Sequence, residues 1–476
     1  MHAPGGEAAG LGGTTSVPSI DSAALTAFRD GFAGEVIMPA DPGYDAARIV
    51  WNGTIDRRPA IVVRPTGAAD VLTAVRFARE NDLLVSVRSG GHSVAGYSTC
   101  DDGIVIDLSR MRGVRVDPEQ RVARAHGGAL LAELDREAQA FGLVCPVGVV
   151  SHTGIGGLAL GGGMGRLMRR YGLTIDNLLS VDVVSADGRL VRASEDENAD
   201  LFWGMRGAGP NFGVVTSFEF RLHPFEPTVT CGTVAYPADR AREAAALYRE
   251  FVDSSPDSVF GSFSIGPALP ASDFAPDVAG RPIVVVGGMH GGPLEEGERR
   301  LASLRSLGSP VSDSIGPRSY LALQREDDEA MAWGHRFYMK SGFTASLPDD
   351  LIDLVVDAVA DAPGDCNFGV WSWGGAVARV PDDATAFTGR KAAFYVGAEM
   401  FWDDPALDGA HRDWGRNLMA AVTPFTMEGR YVNDAIESGE DVVRSIYGNA
   451  KYDRLVALKR AWDPDNVFRL NQNIAP

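Results

Sequence analysis

Two nucleophilic side chains stand beside glycine-rich segments in the first third of the chain. His92 belongs to the run Arg88-Ser-Gly-Gly-His-Ser93, and Cys145 belongs to Cys-Pro-Val-Gly. A neutral imidazole and a thiolate can each attack an electrophilic ring and stay bonded to it. Glycines beside them let the main chain approach such a ring closely. We therefore predict that His92 and Cys145 are two covalent anchors for one flavin.

A longer glycine-rich segment follows Cys145. Gly154-Ile-Gly-Gly-Leu-Ala159 fits the dinucleotide-binding pattern GxGxxA, and Asp176 stands where that pattern expects an acidic residue. Such a pattern lies between a buried strand and a helix. Here Pro146 and Gly148 would interrupt the strand, and Gly161-Gly-Gly163 would interrupt the helix. Backbone amides that cradle a flavin pyrophosphate explain the same glycines better.

Length and charge limit the kinds of partner. The 476 residues suffice for two domains or one large composite domain, and 45% hydrophobic and 22% charged residues are ordinary for a soluble globular protein. The formal net charge of −19 argues against nucleic acid and anionic membranes as partners. We expect a small-molecule substrate, a monomer or homodimer, and a cytoplasmic location.

The sequence does not indicate a metal site, a signal peptide or a membrane-spanning segment. Cys100, Cys231 and Cys366 have no partner at metal-ligand spacing, and no CxxC or HExxH occurs, so we predict no metal site. Residues 1–19 lack the basic and apolar regions of a signal peptide and are predicted to form a disordered leader. The uncharged stretch 138–165 is long enough to span a membrane, but its many glycines favour loops.

Hydrophobic periodicity predicts an α+β fold. Up to the turn at 223–227, we predict helices over 19–32, 68–81 and 127–141, with short strands at 61–65, 85–88, 104–108, 113–116, 121–125, 178–185, 189–193 and 214–222. Beyond it, we predict helices over 238–251, 297–307, 349–359 and 449–462, and strands over 259–265, 283–289, 337–344, 368–373 and 393–401. Helices covering one face of an antiparallel sheet would satisfy the second pattern.

Several longer motifs, in order along the chain, resemble one enzyme family. They are Arg88–Ser93, Cys145-Pro, Gly154–Gly165, Tyr171–Asn177, Asp200–Gly207, Asn211–Thr216, Tyr447-Gly-Asn449 and Trp462–Asn473. On these motifs the chain is similar to the FAD-linked oxidases of the berberine-bridge-enzyme type, within the vanillyl-alcohol-oxidase superfamily. The resemblance implies a PCMH-type FAD-binding domain in two parts, 20–227 and 440–476, around an inserted substrate domain, 228–439.

The resemblance also implies roles for single residues. His92 matches the histidine that bonds the flavin's 8-methyl carbon, and Cys145 matches the cysteine that bonds ring carbon six in doubly linked members. The further residues expected to contact FAD are Arg88, Ser89, Gly90, Gly91, Ser93, Gly148, His152, Thr153, Gly154, Gly156, Gly157, Gly162, Gly163, Asn211, Gly213, Val215, Tyr447 and Asn471. The family's oxidases reduce dioxygen to hydrogen peroxide, which makes dioxygen the expected second substrate.

The catalytic base departs from the family's pattern. Sugar-oxidising relatives often use a tyrosine that follows an asparagine near the end of the substrate domain, whereas this chain reads Tyr431-Val-Asn-Asp434. We therefore predict Asp434 as the base that takes the substrate's proton. Tyr447, Tyr431 and Tyr338 are the other candidates.

Two tryptophans are candidates for the substrate site. Trp371 and Trp373 would share one face of a strand, where they could stack on a ring, although ordinary core packing explains them equally well. Tyr338 and Lys340 would add polar groups from a neighbouring strand. We expect oxidation of an alcohol, hemiacetal or amine carbon in a sugar-decorated or polyketide-like molecule. The alternatives are an oxidative cyclase or desaturase on the same flavin, and a dehydrogenase with another electron acceptor.

Overall fold

The computed structural model describes residues 20–268 and 278–476, so the predicted leader lies outside the described residues. Helices and mainly antiparallel strands alternate along these residues, which confirms the α+β prediction. Within the same two ranges, no helix is long and apolar enough to cross a membrane.

The first part of the chain carries eleven of the described strands and seven of the described α-helices. The strands are β1 Glu35–Ile37, β2 Ile61–Arg64, β3 Val85–Arg88, β4 Ile104–Asp107, β5 Val114–Asp117, β6 Val122–His126, β7 Leu143–Val144, β8 Leu178–Val184, β9 Leu190–Ser194, β10 Val214–Arg221 and β11 His223–Pro224. The helices are α1 Ser22–Asp30, α2 Tyr44–Arg48, α3 Ala68–Glu80, α4 Leu131–Gln139, α5 Ile155–Gly161, α6 Met168–Tyr171 and α7 Ala199–Met205.

These strands form two larger sheets and one short pair. The four-stranded sheet has the order β1-β2-β4-β3, with β2, β4 and β3 parallel, and the five-stranded antiparallel sheet has the order β5-β6-β10-β8-β9. α3 packs its apolar side, including Val71 and Val75, into the core beside Ile104 and Ile106. This packing fixes β3, which leads directly into the loop that carries His92. The Asp21 carboxylate accepts a hydrogen bond from the Ala24 amide and so caps the start of α1.

The second part of the chain continues the numbering. Its strands are β12 Thr228–Pro237, β13 Val259–Pro267, β14 Pro282–His290, β15 Ser312–Asp313, β16 Gly316–Ser319, β17 Arg336–Thr344, β18 Cys366–Ser372 and β19 Phe394–Trp402. Its helices are α8 Ala241–Asp253, α9 Leu294–Leu301, α10 Tyr320–Leu323, α11 Asp349–Ala360, α12 Ala376–Arg379, α13 Asp408–Val422, α14 Glu440–Tyr447 and α15 Asn449–Trp462.

The strands from β12 to β19 build one antiparallel sheet with different neighbours on its two faces. The strand order is β15-β12-β14-β13-β18-β19-β17, and β16 also pairs with β12. Alternate side chains on β18, such as Phe368 and Val370, pack into a core under α8, α11 and α13. The intervening residues, such as Gly369 and Trp371, line a cavity on the other face. The predicted sheet with helices on one face is therefore confirmed.

Some elements differ from the prediction. The helix expected over 127–141 begins only at Leu131, and the helix expected over 297–307 is α9 followed by a 3₁₀ turn. Neither β12 nor α13 was predicted. α13 contains Gly409 and Gly415, which lower helix propensity, and it forms because Leu418 and Val422 are buried against the large sheet.

The tail returns to the first part of the chain. Lys459, at the end of α15, is buried and donates hydrogen bonds to the Asp463 carboxylate and to the carbonyls of Asn211 and Phe468. A buried ammonium is stable only when it is paired and fully hydrogen-bonded, so this contact ties the tail firmly. It brings Asn471 to the cavity wall.

Candidate functional site

A cavity of about 930 Å³ lies between two different walls. One wall consists of the loops at 89–95, 149–158 and 208–213, together with the tail at 468–472. We call it the loop wall. The other wall is the face of the large sheet opposite α8, α11 and α13, with the segment 431–435 at its side. We call it the sheet wall. A cavity of this size is large enough for a cofactor and a small-molecule substrate.

The loop wall depends on close contact between two glycine loops. A Cβ atom on Gly90 would lie 2.1 Å from the Gly154 nitrogen, and a Cβ atom on Gly154 would lie 2.0 Å from the Gly90 nitrogen. Only glycine allows this approach. The Ser89 hydroxyl stabilises the contact between these two loops, since it donates to the Gly127 carbonyl and accepts from the Gly156 amide.

His92 lies close to this contact between the loops and faces the cavity. Its ring stacks on Trp51 with 5.0 Å between centroids, and its Nε2 lies 2.7 Å from Nδ1 of His152. Burial, and then the neighbouring His152, lower the pKa of His92 to about 3. The imidazole is therefore neutral, which is the form that can act as a nucleophile.

Many of the predicted cofactor residues do line the cavity. They are Ser89, Gly90, Gly91, His92, Ser93, Thr153, Gly154, Gly156, Gly157, Asn211, Gly213, Val215 and Asn471. Their backbones supply most of the loop wall.

Other predicted cofactor residues stand behind the wall. The Arg88 guanidinium donates to the carbonyls of Ala47 and Ser98, so it fixes the loops and does not reach the cavity. Gly148, His152, Gly162, Gly163 and Tyr447 likewise do not line the cavity. Tyr447, also a candidate base, is buried in the core, where its hydroxyl donates to the Gly207 carbonyl.

Cys145 is also absent from the cavity wall. It directly follows β7, and its side chain packs with Leu143 into the core beside α4. Its Sγ contacts the Pro146 carbonyl at 3.9 Å, and burial raises the pKa of the thiol. The structure thus does not place Cys145 with His92 at the predicted flavin site. Val149 and Val150 occupy the wall there.

The loop wall fits a flavin nucleotide. The buried polar atoms that have no hydrogen-bond partner among the described residues include Oγ of Ser98, Oδ1 of Asn471 and Oε1 of Gln472. All three residues line the cavity. Unpaired buried polar atoms are costly, so polar groups of a bound cofactor would stabilise them. Glycine backbones and a neutral histidine complete a wall suited to FAD.

The sheet wall has a glycine trough at its centre. Gly369 and Gly397 stand directly opposite each other on β18 and β19, and a Cβ atom on Gly369 would meet only Oδ1 of Asn367, at 4.0 Å. Trp371 pairs with Tyr395 on one side of the trough, and Asn367 pairs with Glu399 on the other. The trough therefore offers room between an aromatic pair and a carboxyl group.

Asp434 lies beside this trough and lines the cavity. Its Oδ2 accepts hydrogen bonds from the Tyr395 hydroxyl at 2.5 Å and the Ser341 hydroxyl at 2.8 Å. Burial raises the pKa of Asp434 to about 6, although both hydrogen bonds lower it. A carboxyl group with this pKa can take up a proton near neutral pH.

Glu399 is a second carboxyl group in the sheet wall. Burial, and then the charge of Asp434, raise the pKa of Glu399 to about 7. Neither Glu399 nor Tyr395 was predicted. The alternation of side chains on the predicted strand 393–401 places both on one face, and this signal could have found them.

The remaining predicted side chains occupy different places. Tyr431 and Trp371 line the cavity, and the Tyr431 hydroxyl accepts from the Gly163 amide. Trp373 does not share the face of Trp371, because β18 ends at Ser372, and it is buried beside Phe343.

Tyr338 and Lys340 lie on the opposite face of β17 from the cavity residues Phe337 and Met339. Both contact Glu437, at 3.1 Å and 2.8 Å. Neither is a candidate for substrate contact.

Comparison with known proteins agrees with this geometry. Residues 59–194 match the model of an FAD binding domain, and residues 430–475 match the model described as berberine and berberine like. The (R)-6-hydroxynicotine oxidase of Paenarthrobacter nicotinovorans is 35% identical over 93% of this chain and 97% of its own length. The chain belongs to the berberine-bridge-enzyme-like FAD-linked oxidases.

Solved structures show the same fold. 6-Hydroxy-D-nicotine oxidase from Arthrobacter nicotinovorans superimposes with a TM-score of 0.83 at 32% identity, covering 94% of this chain and 98% of that chain. Berberine bridge enzyme from Eschscholzia californica superimposes with a TM-score of 0.84 at 21% identity, covering 95% and 99%. The PCMH-type architecture, the FAD cofactor and the oxidoreductase class of this member follow from these likenesses.

Proposed function

We propose that this FAD-linked oxidase binds FAD against the loop wall and bonds it through His92 alone. His92 faces the cavity as a neutral imidazole, whereas Cys145 is directed into the core. Asn471, Gln472 and Ser98 would supply hydrogen bonds, and the glycine loops would supply close backbone contact. The FAD-binding part comprises 20–227 and 440–476, and the substrate part comprises 228–439.

When bound, FAD would accept a hydride from a substrate carbon and pass the electrons to dioxygen, which yields hydrogen peroxide. Asp434 is the proton acceptor for the substrate's hydroxyl or amine group. The single observation that carries this role is that both of its hydrogen bonds within the described residues end on Oδ2, so Oδ1 is available to the cavity. Tyr395 and Ser341 orient the carboxylate.

The charges of the cavity limit the substrate. Neither Asp434 nor Glu399 has a basic partner within the described ranges. Among the described residues, two basic side chains line the cavity, and both are neutralised: Arg166 pairs with Asp327 at 3.0 Å, and Arg318 pairs with Glu326 at 2.6 Å. A neutral or cationic substrate is therefore favoured, and a carboxylate is disfavoured. We propose an alcohol, hemiacetal or amine with an apolar ring that Trp371 and Tyr395 contact.

The proposal is tested by a peroxide screen with matched pairs of substrates. Each pair differs only in charge, such as a hexose with its uronic acid and an arylalkylamine with its amino acid. We expect peroxide only from the uncharged or cationic member of a pair. Turnover of carboxylates alone would contradict the charge argument. If substrates reduce the flavin without oxygen but air does not reoxidise it within seconds, the protein is a dehydrogenase with another acceptor.

A further inference from the structure

A second histidine contacts His92 from outside the cavity. His152 does not line the cavity, but its Nδ1 lies 2.7 Å from Nε2 of His92, and the two ring centroids are 4.7 Å apart. Its other nitrogen, Nε2, lies 3.4 Å from the backbone carbonyl of Asp328. The two imidazoles and this carbonyl form one hydrogen-bonded chain that ends at the cavity.

The carbonyl of Asp328 determines which nitrogen donates and which accepts in each of these hydrogen bonds. A carbonyl oxygen only accepts, so Nε2 of His152 must carry a hydrogen. In the neutral form of His152 this is the one ring hydrogen, so Nδ1 of His152 accepts and Nε2 of His92 donates. The remaining nitrogen of His92, Nδ1, then holds a free lone pair.

The surrounding residues fix both rings. The amide and hydroxyl of Ser151 donate to the Asp328 carboxylate at 2.8 Å and 2.6 Å, which holds the residue next to His152. Trp51 stacks on His92 with an interplanar angle of 17°, and Trp333 meets the same ring edge-on with 6.2 Å between centroids. Neither histidine can turn away easily, so the contact between them is built into the fold.

We propose that His152 is the positioning residue and proton acceptor that activates His92 for covalent attachment of the flavin. This inference rests on the proposed bond between His92 and FAD. Because His92 is held neutral, its Nδ1 would attack while His152 takes the proton from Nε2. No metal or further cofactor is needed for this role.

The atoms and electrons of the attachment balance with dioxygen as the oxidant. One bond forms between Nδ1 of His92 and the flavin's 8-methyl carbon, and one C–H bond of that methyl group breaks and releases its proton to water. The imidazole loses the proton on Nε2 to His152, which releases it to water. The two electrons left in the flavin reduce dioxygen, and the two protons complete hydrogen peroxide.

The test measures how fast the full-length chain becomes covalently flavinylated. Chain made in riboflavin-depleted cells is mixed with FAD in air, and the mass of the denatured protein is followed with time. We expect attachment to be at least tenfold slower in His152→Ala than in wild type, and free imidazole to restore part of the rate. His152→Asn can orient His92 but cannot take a proton, so it should attach flavin slowly and still only through Nδ1.

The nitrogen of His92 that carries the flavin shows whether a variant has lost the positioning of His92 or its structure in general. In flavin peptides analysed by NMR, we expect Nδ1 linkage in wild type and a mixture with Nε2 linkage in His152→Ala. His126→Ala, at an exposed histidine, is the control and should behave as wild type. A wild-type attachment rate in both His152 variants would overturn this inference alone. A wild-type chain without covalent FAD would overturn it together with the proposed His92 bond.

Discussion

The two walls of the cavity differ in which part of the protein they expose, main chain in one and side chains in the other. The loop wall presents main chain, and its glycines touch one another so closely that no side chain fits between them. The sheet wall presents side chains from regularly paired antiparallel strands, with open space above Gly369. The loop wall should therefore tolerate almost no substitution. The sheet wall can change its substrate preference while the fold and the cofactor site stay intact.

The largest effect is expected where the loops touch. In Gly154→Val, the new side chain would collide with the Gly90 backbone, and overpacking of this kind costs roughly 1–3 kcal/mol or more. We expect bound flavin, measured by absorbance of the purified protein, to fall below about one tenth of the wild-type content.

Gly157→Ala is the matched control, since a Cβ atom there meets nothing within 4 Å. It should keep the wild-type melting temperature. Normal flavin content in Gly154→Val would show that the loop wall does not depend on this contact.

A large effect on turnover, without loss of flavin, is expected at Asp434. Asp434→Asn removes the proton acceptor and should lower kcat by about 100-fold or more. In wild type, turnover should rise with pH as Asp434 ionises, with a midpoint near its pKa of about 6. This rise with pH should be absent in Asp434→Asn. Stopped-flow reduction of the flavin without oxygen measures the step directly. Unchanged reduction in Asp434→Asn would exclude it as the base.

A smaller effect is expected from filling the trough. Gly369→Val places a side chain between Trp371 and Glu399, where the substrate should lie. We expect KM to rise about tenfold, equivalent to about 1.4 kcal/mol, with unchanged flavin content and melting temperature. Ser264→Ala, on the neighbouring strand opposite Gly369, is the control that removes volume and should change KM little. An unchanged KM in Gly369→Val would place the substrate elsewhere.

The smallest effect concerns stability. Glu399 has a pKa of about 7 when folded and 4.5 in its ordinary state, so the folded protein binds this proton more tightly. Its contribution to stability is full below pH 4.5 and is lost as pH rises through 7. Glu399→Gln should therefore raise the melting temperature by about 1–4 °C at pH 8 and not at pH 4. Equal shifts at both pH values would contradict a buried, protonatable Glu399.

The loop wall and the fold were largely predictable, and the sheet wall was not. Glycines that approach another backbone leave a strong local pattern, and this pattern identified His92 and Gly154, whereas Asn211 was expected only from the family resemblance. Alternation on β19 shows that Tyr395 and Glu399 share a face, but both faces of this strand carry apolar residues, so the sequence does not tell which face the helices cover.

Local packing explains the placements that the sequence did not predict. Cys145 precedes the glycine run, but directly after β7 its side chain is buried beside α4. Trp373 lies beyond the end of β18, so the alternation that begins at Trp371 does not reach it. Tyr338 and Lys340 alternate correctly along β17, yet on the face away from the cavity. Which side of a strand meets a cavity is decided by tertiary packing.

A single covalent anchor on the loop wall is tested most directly by the intact mass of the protein under denaturing conditions. Wild type, His92→Ala and Cys145→Ala would be measured side by side. We predict the added mass of one FAD on wild type and on Cys145→Ala, and none on His92→Ala. FAD retained by His92→Ala, or lost from Cys145→Ala, would contradict the account.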